Sequence, residues 1–329
     1  MDTLKNKNIL FLAPNFFGYE IQIKKTLESL GANVFYFDER PKNDFLTKVL
    51  IRLNIKKLIQ EKINRYYNQI ITTTKNEKLD YLFLIAPETI DEKAINKIKK
   101  LHKGIKVYIY MWDSIENKKT ALSLLDISDK FLTFDRQDKH INNKIDFLPL
   151  FYINSYQEIA NERSDFKYDL SFIGTIHSDR YKIVKQIEKI ATANNITTYF
   201  YFYSPSKVLF SLQRLLLKDF KHIDKKDVSF ISLKKEDVLN IIKNSKAIID
   251  IHHPHQSGLT MRTIEVLGAK RKLFTTNEDI KHYDFYNEKN IYIFDRNNPN
   301  IDASFLNSQY EDAPTKVYDK YSIKEWVHY

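Results

Sequence analysis

The sequence predicts an α/β protein of two doubly wound domains, each a parallel sheet flanked by helices. Three observations predict this. Short apolar runs alternate with segments of helical spacing along the chain, the pattern of strand–helix–strand units. The chain opens on one such unit, with strands at 8–13 and 33–38 around a helix closed by Gly31. A second opening follows at 168–175. The 329 residues suffice for two domains of ordinary size.

In the first domain the 14–18 loop after the first strand has one glycine, so a dinucleotide fingerprint is absent. Helix 19–30 puts Ile23, Leu27 and Leu30 on one face. Residues 46–73, from Leu46, read as a long basic helix. Its stripe is Ile55, Ile59, Ile63, Tyr66 and Ile70, with Arg52, Lys56, Lys57, Lys62 and Arg65 around it. This fits a helix packed on the sheet with a solvated basic face, or one lying on a membrane surface. Strands 81–85, 106–110, 131–135 and 145–149 follow, with a helix over 95–101. Asp113 lies just past the 106–110 strand, where parallel sheets bind ligands. The first domain is therefore 1–150, and 151–167 form a connector.

The second domain, 168–312, continues with helix 183–193 and strand 197–203. Residues 208–220 are amphipathic, with Arg214, Lys218 and Lys221 beside an apolar face. They fit a core-facing helix or a docking patch. After strand 228–230 and helix 235–245 comes the central stretch, 248–277. It reads as a buried strand, a polar loop over 252–257, a turn at Gly258, and a helix over 261–267. Thr260 is the expected N-cap and Gly268 the expected residue just past the helix. Strands 272–276 and 291–294 complete the sheet, and 313–329 hold a final helix.

A loop feeding a helix N-terminus at the carboxyl end of a parallel strand favours anions, through backbone N–H groups and the helix dipole. Arg262 and Glu265 lie three apart and share one helix face. That face offers a cation for a phosphate and a carboxylate for a diol; the same spacing fits an ordinary surface ion pair. Gly174, with no Cβ, lets backbone N–H groups approach a diphosphate, or simply makes a tight turn.

The net charge of +10 suits an anionic partner, but the lysines are spread along the chain and form no nucleic-acid-binding module. With no cysteine, disulfides and thiolate metal sites are excluded. No apolar run reaches membrane-spanning length and no signal-peptide layout opens the chain, so a cytoplasmic location is expected. His252, His253 and His255 crowd one loop without the helical spacing of zinc ligands, so no metal is expected. P-loop and G-x-S-x-G motifs are absent.

Gly258-Leu259, Arg262, Glu265, Gly268 and Thr276-Asn277 form a G-L-x-x-R-x-x-E loop and helix followed by a strand ending in T-N. This stretch resembles the donor-binding segment of glycosyltransferases of the GT-B fold, especially group-1-like and CgeB-like bacterial proteins. The D-x-S-F-x-G strand at Asp169 to Gly174 with Arg180 downstream, and Trp112-Asp113, resemble the same family. The resemblance implies two Rossmann-like domains facing a cleft, the acceptor on the first and a nucleotide-sugar on the second, with the terminal helix crossing back to the first. It implies that Glu265 holds the ribose hydroxyls, and that Gly174, Thr175, Arg180, His253, Ser257, Gly258, Leu259, Thr260 and Arg262 complete the donor site. Arg262 would stabilise the leaving diphosphate without a metal, and Asp113 or Glu20 would be the general base. Ser257 stands where many retaining relatives carry a second glutamate, which leaves the stereochemical outcome open.

The activity so implied is hexosyl transfer to a glycan or lipid-linked acceptor, in bacterial surface polysaccharide (lipopolysaccharide or capsule) synthesis. No cofactor and no nucleic acid are expected. An anionic membrane surface is a further expected partner, placing the protein on the inner face of the membrane. The rival readings are a nucleotide-sugar epimerase or hydrolase on the same fold, and a non-catalytic basic binding protein.

Overall fold

A computed structural model describes residues 4–44, 47, 50–51, 55–162, 165–254 and 256–329. Leu46, Arg52 and His255, named above, lie outside the described residues. The chain divides into two compact units, Met1–Pro149 with Trp326–Tyr329, and Leu150–Glu325. Each carries one six-stranded sheet, and all the strand pairs in both are parallel.

In the first unit the strands are β1 (Asn8–Ala13), β2 (Asn33–Asp38), β3 (Tyr81–Ile85), β4 (Lys106–Met111), β5 (Lys130–Thr133) and β6 (Ile145–Phe147). Their order is β2-β1-β3-β4-β5-β6. The chain leaves β1 to one side and returns to β3 on the other, so the topological switch point lies between β1 and β3. Strands buried on both faces read as continuous apolar runs, and Leu10, Leu12, Leu82, Leu84, Val107 and Ile109 are fully buried. The helices are α1 (Tyr19–Ser29), α2 (Gln60–Thr74) and α3 (Glu92–Leu101). Asp91 caps α3 by accepting the Ala94 N–H.

The long basic helix expected over 46–73 is corrected in its described part. Residues Lys56–Ile59 form a 3-10 turn and the α-helix proper begins at Gln60. Its buried face is Ile63, Tyr67, Ile70, Ile71 and Thr74, while Ile55 is exposed. Ile63 and Ile70 of the expected stripe are thus buried in the core, with Ile59 and Tyr66 packed against it. At the far end of the chain Trp326 packs edge-on to Tyr110, with ring centres 4.8 Å apart. Lys130 Nζ donates to the Tyr329 carbonyl at 2.6 Å.

The second unit begins with α4 (Asn154–Ala160), inside the stretch expected as a connector. Tyr152 is fully buried there and bridges to Ser322. The strands are β7 (Tyr168–Thr175), β8 (Thr198–Tyr203), β9 (Val228–Ser229), β10 (Ser245–Asp250), β11 (Lys272–Thr275) and β12 (Ile291–Ile293). Their order is β12-β11-β10-β7-β8-β9, so the switch point falls between β7 and β10. The helices are α5 (Arg180–Ala193), α6 (Lys207–Leu216), α7 (Lys235–Lys243), α8 (Met261–Gly268), α9 (Ala303–Asn307), α10 (Thr315–Lys320) and α11 (Ile323–Trp326).

Gly268 is the last helical residue of α8 rather than the left-handed residue beyond it. A Cβ at Gly268 would stand 2.5 Å from Tyr152 Cγ, so close packing requires the glycine. The left-handed position is Lys270, with φ 50°. Among the described residues, no helix is long and apolar enough to cross a membrane.

Candidate donor site at the second switch point

The carboxyl ends of β7 and β10 flank the switch point, and one arginine ties them together. Arg180, the first residue of α5, donates from Nε to the Ile251 carbonyl at 3.0 Å and from Nη1 to the Thr175 carbonyl at 3.1 Å. Its Nη2 also reaches Ile251 O. The guanidinium lies over the Phe172 ring, 5.8 Å from its centre. These bonds hold the two loops in register. Burial lowers its pKa to about 10, a shift that Asp250 opposes, so it stays charged at neutral pH.

Gly174 is explained by the same clamp. A Cβ there would lie 2.7 Å from the Phe172 ring and 3.1 Å from Arg180 Nη1. The space on its Cβ side is taken from within the unit. Thr175 contributes its carbonyl to Arg180.

Asp250 ends β10 and is buried. Its Oδ2 accepts from the Thr260 hydroxyl at 2.6 Å and from the Thr263 hydroxyl at 2.7 Å. Thr260 Oγ1 in turn accepts the Thr263 N–H, which is the expected N-cap. The strand end and the first turn of α8 are thus one hydrogen-bonded unit. Asn277 secures the loop from the other side, donating to the Ser257 carbonyl at 3.0 Å and the Gly258 carbonyl at 3.4 Å. Leu259 is 2% exposed. Its side chain belongs to the core.

Arg262 and Glu265 point together, as their spacing implied, but they meet each other. Arg262 Nη1 and Glu265 Oε2 are 2.5 Å apart. Their side chains are 18% and 7% exposed, so this is a desolvated pair rather than the surface pair of the alternative reading.

The loop after β7 adds residues that the sequence reading missed. Asp179 Oδ1 accepts from Arg296 Nη1 at 2.6 Å, and Arg296 Nη2 donates to the His252 carbonyl at 2.5 Å. His252 Nδ1 lies 2.8 Å from Thr276 Oγ1. The His177 ring lies 5.4 Å from that of His253, which is exposed. Burial, then the charge of Arg180, pulls the His177 pKa down to about 3. Burial, then Arg296, pulls that of His252 down to about 4. Both imidazoles are therefore neutral at neutral pH. Arg296 carried no motif and lies far along the chain, so nothing in the sequence linked it to Asp179.

Three guanidinium groups and two neutral imidazoles thus cluster at one sheet edge, beside the N-terminus of α8. Such a surface can hold an anion through charge, N–H groups and dipole without a metal. Among the described residues, no group of three or more His, Cys, Asp or Glu could hold a metal ion.

In the first unit Glu20 is 3% exposed, and its Oε2 accepts the Phe16 N–H at 3.0 Å. It anchors the loop after β1. Asp113 lies half-buried after β4, with Oδ1 accepting from Asn117 Nδ2 at 3.0 Å.

No protein-family model matches the chain, and no curated protein sequence matches it. Solved structures do match in fold. Anabaena HepE in complex with UDP and glucose aligns over 97% of this chain and 98% of its own, with a TM-score of 0.59 at 9% identity. An alpha-glucosyltransferase in complex with UDP and a mismatched 13-mer DNA aligns over 88% and 87%, with a TM-score of 0.58 at 13% identity. A glycosyltransferase from Rickettsia africae aligns over 98% and 96%, with a TM-score of 0.56 at 15% identity. The fold is the two-unit Rossmann-like α/β arrangement of the GT-B glycosyltransferases.

Proposed function

We propose that the protein is a metal-independent glycosyltransferase that binds a nucleotide-sugar at the carboxyl edge of the second sheet and transfers its sugar to a glycan or lipid-linked acceptor. The observation that carries this reading is the switch-point cluster. Arg180 clamps the two loops, Asp250 fixes the first turn of α8, and the Arg262–Glu265 pair sits on that helix. Fold neighbours solved with UDP bound support it.

On this reading Glu265 accepts from the ribose hydroxyls. A diol arriving there competes with Arg262 for the carboxylate, and Arg262 turns toward the diphosphate, where its charge offsets that of the leaving group. Of the two candidate bases we favour Asp113, because Glu20 is buried and committed to its own loop. Incubation with labelled nucleotide-sugars and saccharide acceptors tests the reading. Sugar transfer that requires acceptor is expected. Conversion of the nucleotide-sugar without acceptor would point instead to an epimerase or hydrolase on this fold.

The setting we propose is surface-polysaccharide synthesis at an anionic membrane. Helix α6 buries Phe210 but leaves Val208, Leu212, Leu215 and Leu216 on an outward stripe, 51–74% exposed. Exposed Lys207, Arg214, Lys218 and Lys221 surround it. This favours the docking patch over the core-facing helix. A basic rim suits anionic lipid and disfavours a second copy of a chain carrying +10. Leu215→Glu with Leu216→Glu should abolish co-sedimentation with anionic vesicles at low salt. Unchanged co-sedimentation would return the stripe to plain solvent exposure.

A further inference from the structure

The first unit carries a second switch point, between the carboxyl ends of β1 and β3, and its surroundings are aromatic. Phe16 and Phe17 follow β1 and are 42% and 68% exposed. Trp112 follows β4, the next strand along. The Phe16 ring lies 5.6 Å from Trp112 and 4.9 Å from Phe17. Tyr19 meets Trp112 edge-on at 6.3 Å. The residue after β3, between these loops, is Ala86, too small to cover them.

The backbone is strained where the aromatics are exposed. Phe17 has φ 53° and Ala86 φ 44°, both in the left-handed region that side chains rarely adopt. Gly18 follows Phe17 with φ 80°. A bulky residue held left-handed costs stability, and exposing a phenyl ring to water adds to it. Glu20 holds the loop in place through the Phe16 N–H. A strained, solvent-facing aromatic surface at a switch point is the kind of feature retained for a ligand rather than for folding. Polar groups stand beside it: Asp113 and Asn117 are hydrogen-bonded just past Trp112.

We propose that Phe16, Phe17 and Trp112 form a saccharide subsite, on which the C–H face of a pyranose ring stacks while Asp113 takes a ring hydroxyl. Aromatic π-faces carry partial negative charge and attract the polarised C–H groups of a sugar ring. Pockets with an apolar floor and few polar groups at one side orient such ligands. The inference rests on the proposed function in one respect: the saccharide is the acceptor of the transfer. Recognition of a sugar ring stands without it.

The test titrates the full chain with methyl glycosides of glucose, galactose, mannose, rhamnose and N-acetylglucosamine. Trp112 emission is followed in a Trp326→Phe background, and saturation-transfer NMR on the unaltered chain supplies a second reading. At least one glycoside should perturb Trp112 saturably. Phe17→Gly should weaken that binding by roughly tenfold, while raising Tm, because glycine relieves the left-handed strain. Nucleotide binding, measured in parallel, should not change. No response to any glycoside, equal affinity in Phe17→Gly, or a lowered Tm in that variant would each overturn the proposal. Nucleotide binding without saccharide binding refutes the subsite alone. Saccharide binding without nucleotide binding refutes the transferase reading and leaves the subsite standing.

Discussion

Arg262→Ala is expected to lower turnover by roughly 10², the usual cost of removing one preorganised group that offsets developing negative charge. The expectation follows from its place on the first turn of α8, above the Asp250–Thr260–Thr263 network. That network fixes the helix, so the guanidinium is delivered from a rigid element. Arg262→Lys should recover only part of the loss. Lysine keeps the charge but lacks the planar fork that fits a diphosphate or a carboxylate. The loss should fall on kcat, with a smaller change in donor KM, if the charge acts mainly on the departing diphosphate. Steady-state kinetics with saturating acceptor measures this. Near-normal turnover in the alanine variant would remove Arg262 from the mechanism.

Asp250→Ala should destabilise the second unit by about 3 kcal/mol, from the loss of two hydrogen bonds to a charged acceptor. Two hydroxyls lose their acceptor, and the buried Arg180 loses the nearby anion that favours its charged form. Asp250→Asn should cost less. An amide oxygen can still accept from Thr260 and Thr263, and only the charge is lost. Urea unfolding followed by far-UV circular dichroism separates the two variants. An alanine variant as stable as the parent would show that the strand–helix unit holds without Asp250, and that Arg180 does not depend on it.

Much of this was legible in the sequence, for physical reasons. Strands buried on both faces must be continuous apolar runs, so Leu82 to Leu84 and Ile248 to Asp250 announced themselves. The Thr260 cap was readable because a hydroxyl just before a helix has one favoured use. The spacing of Arg262 and Glu265 placed them on one face, but could not show that they would neutralise each other. Side-chain pairing depends on tertiary surroundings that spacing does not encode. Gly268 was assigned to the wrong task for a similar reason. Its neighbour Tyr152 lies more than a hundred positions earlier, and close packing between distant segments leaves no local mark. The Asp179–Arg296 pair was invisible for the same cause. The exposed stripe of α6 was open in the sequence, since a run of leucines reads alike whether it faces core or solvent.

The central claim is that a nucleotide-sugar sits at the second switch point with its ribose on Glu265. Thermal unfolding of the parent chain and of Glu265→Gln with UDP-, GDP-, CMP- and dTDP-sugars tests it most directly. A ligand at a hundredfold excess over its Kd stabilises the native state by about 2.7 kcal/mol. One nucleotide class should therefore raise Tm in the parent, and the rise should shrink in Glu265→Gln, whose amide is a weaker acceptor for a diol. No rise with any of the four donors, or an equal rise in both proteins, would contradict it.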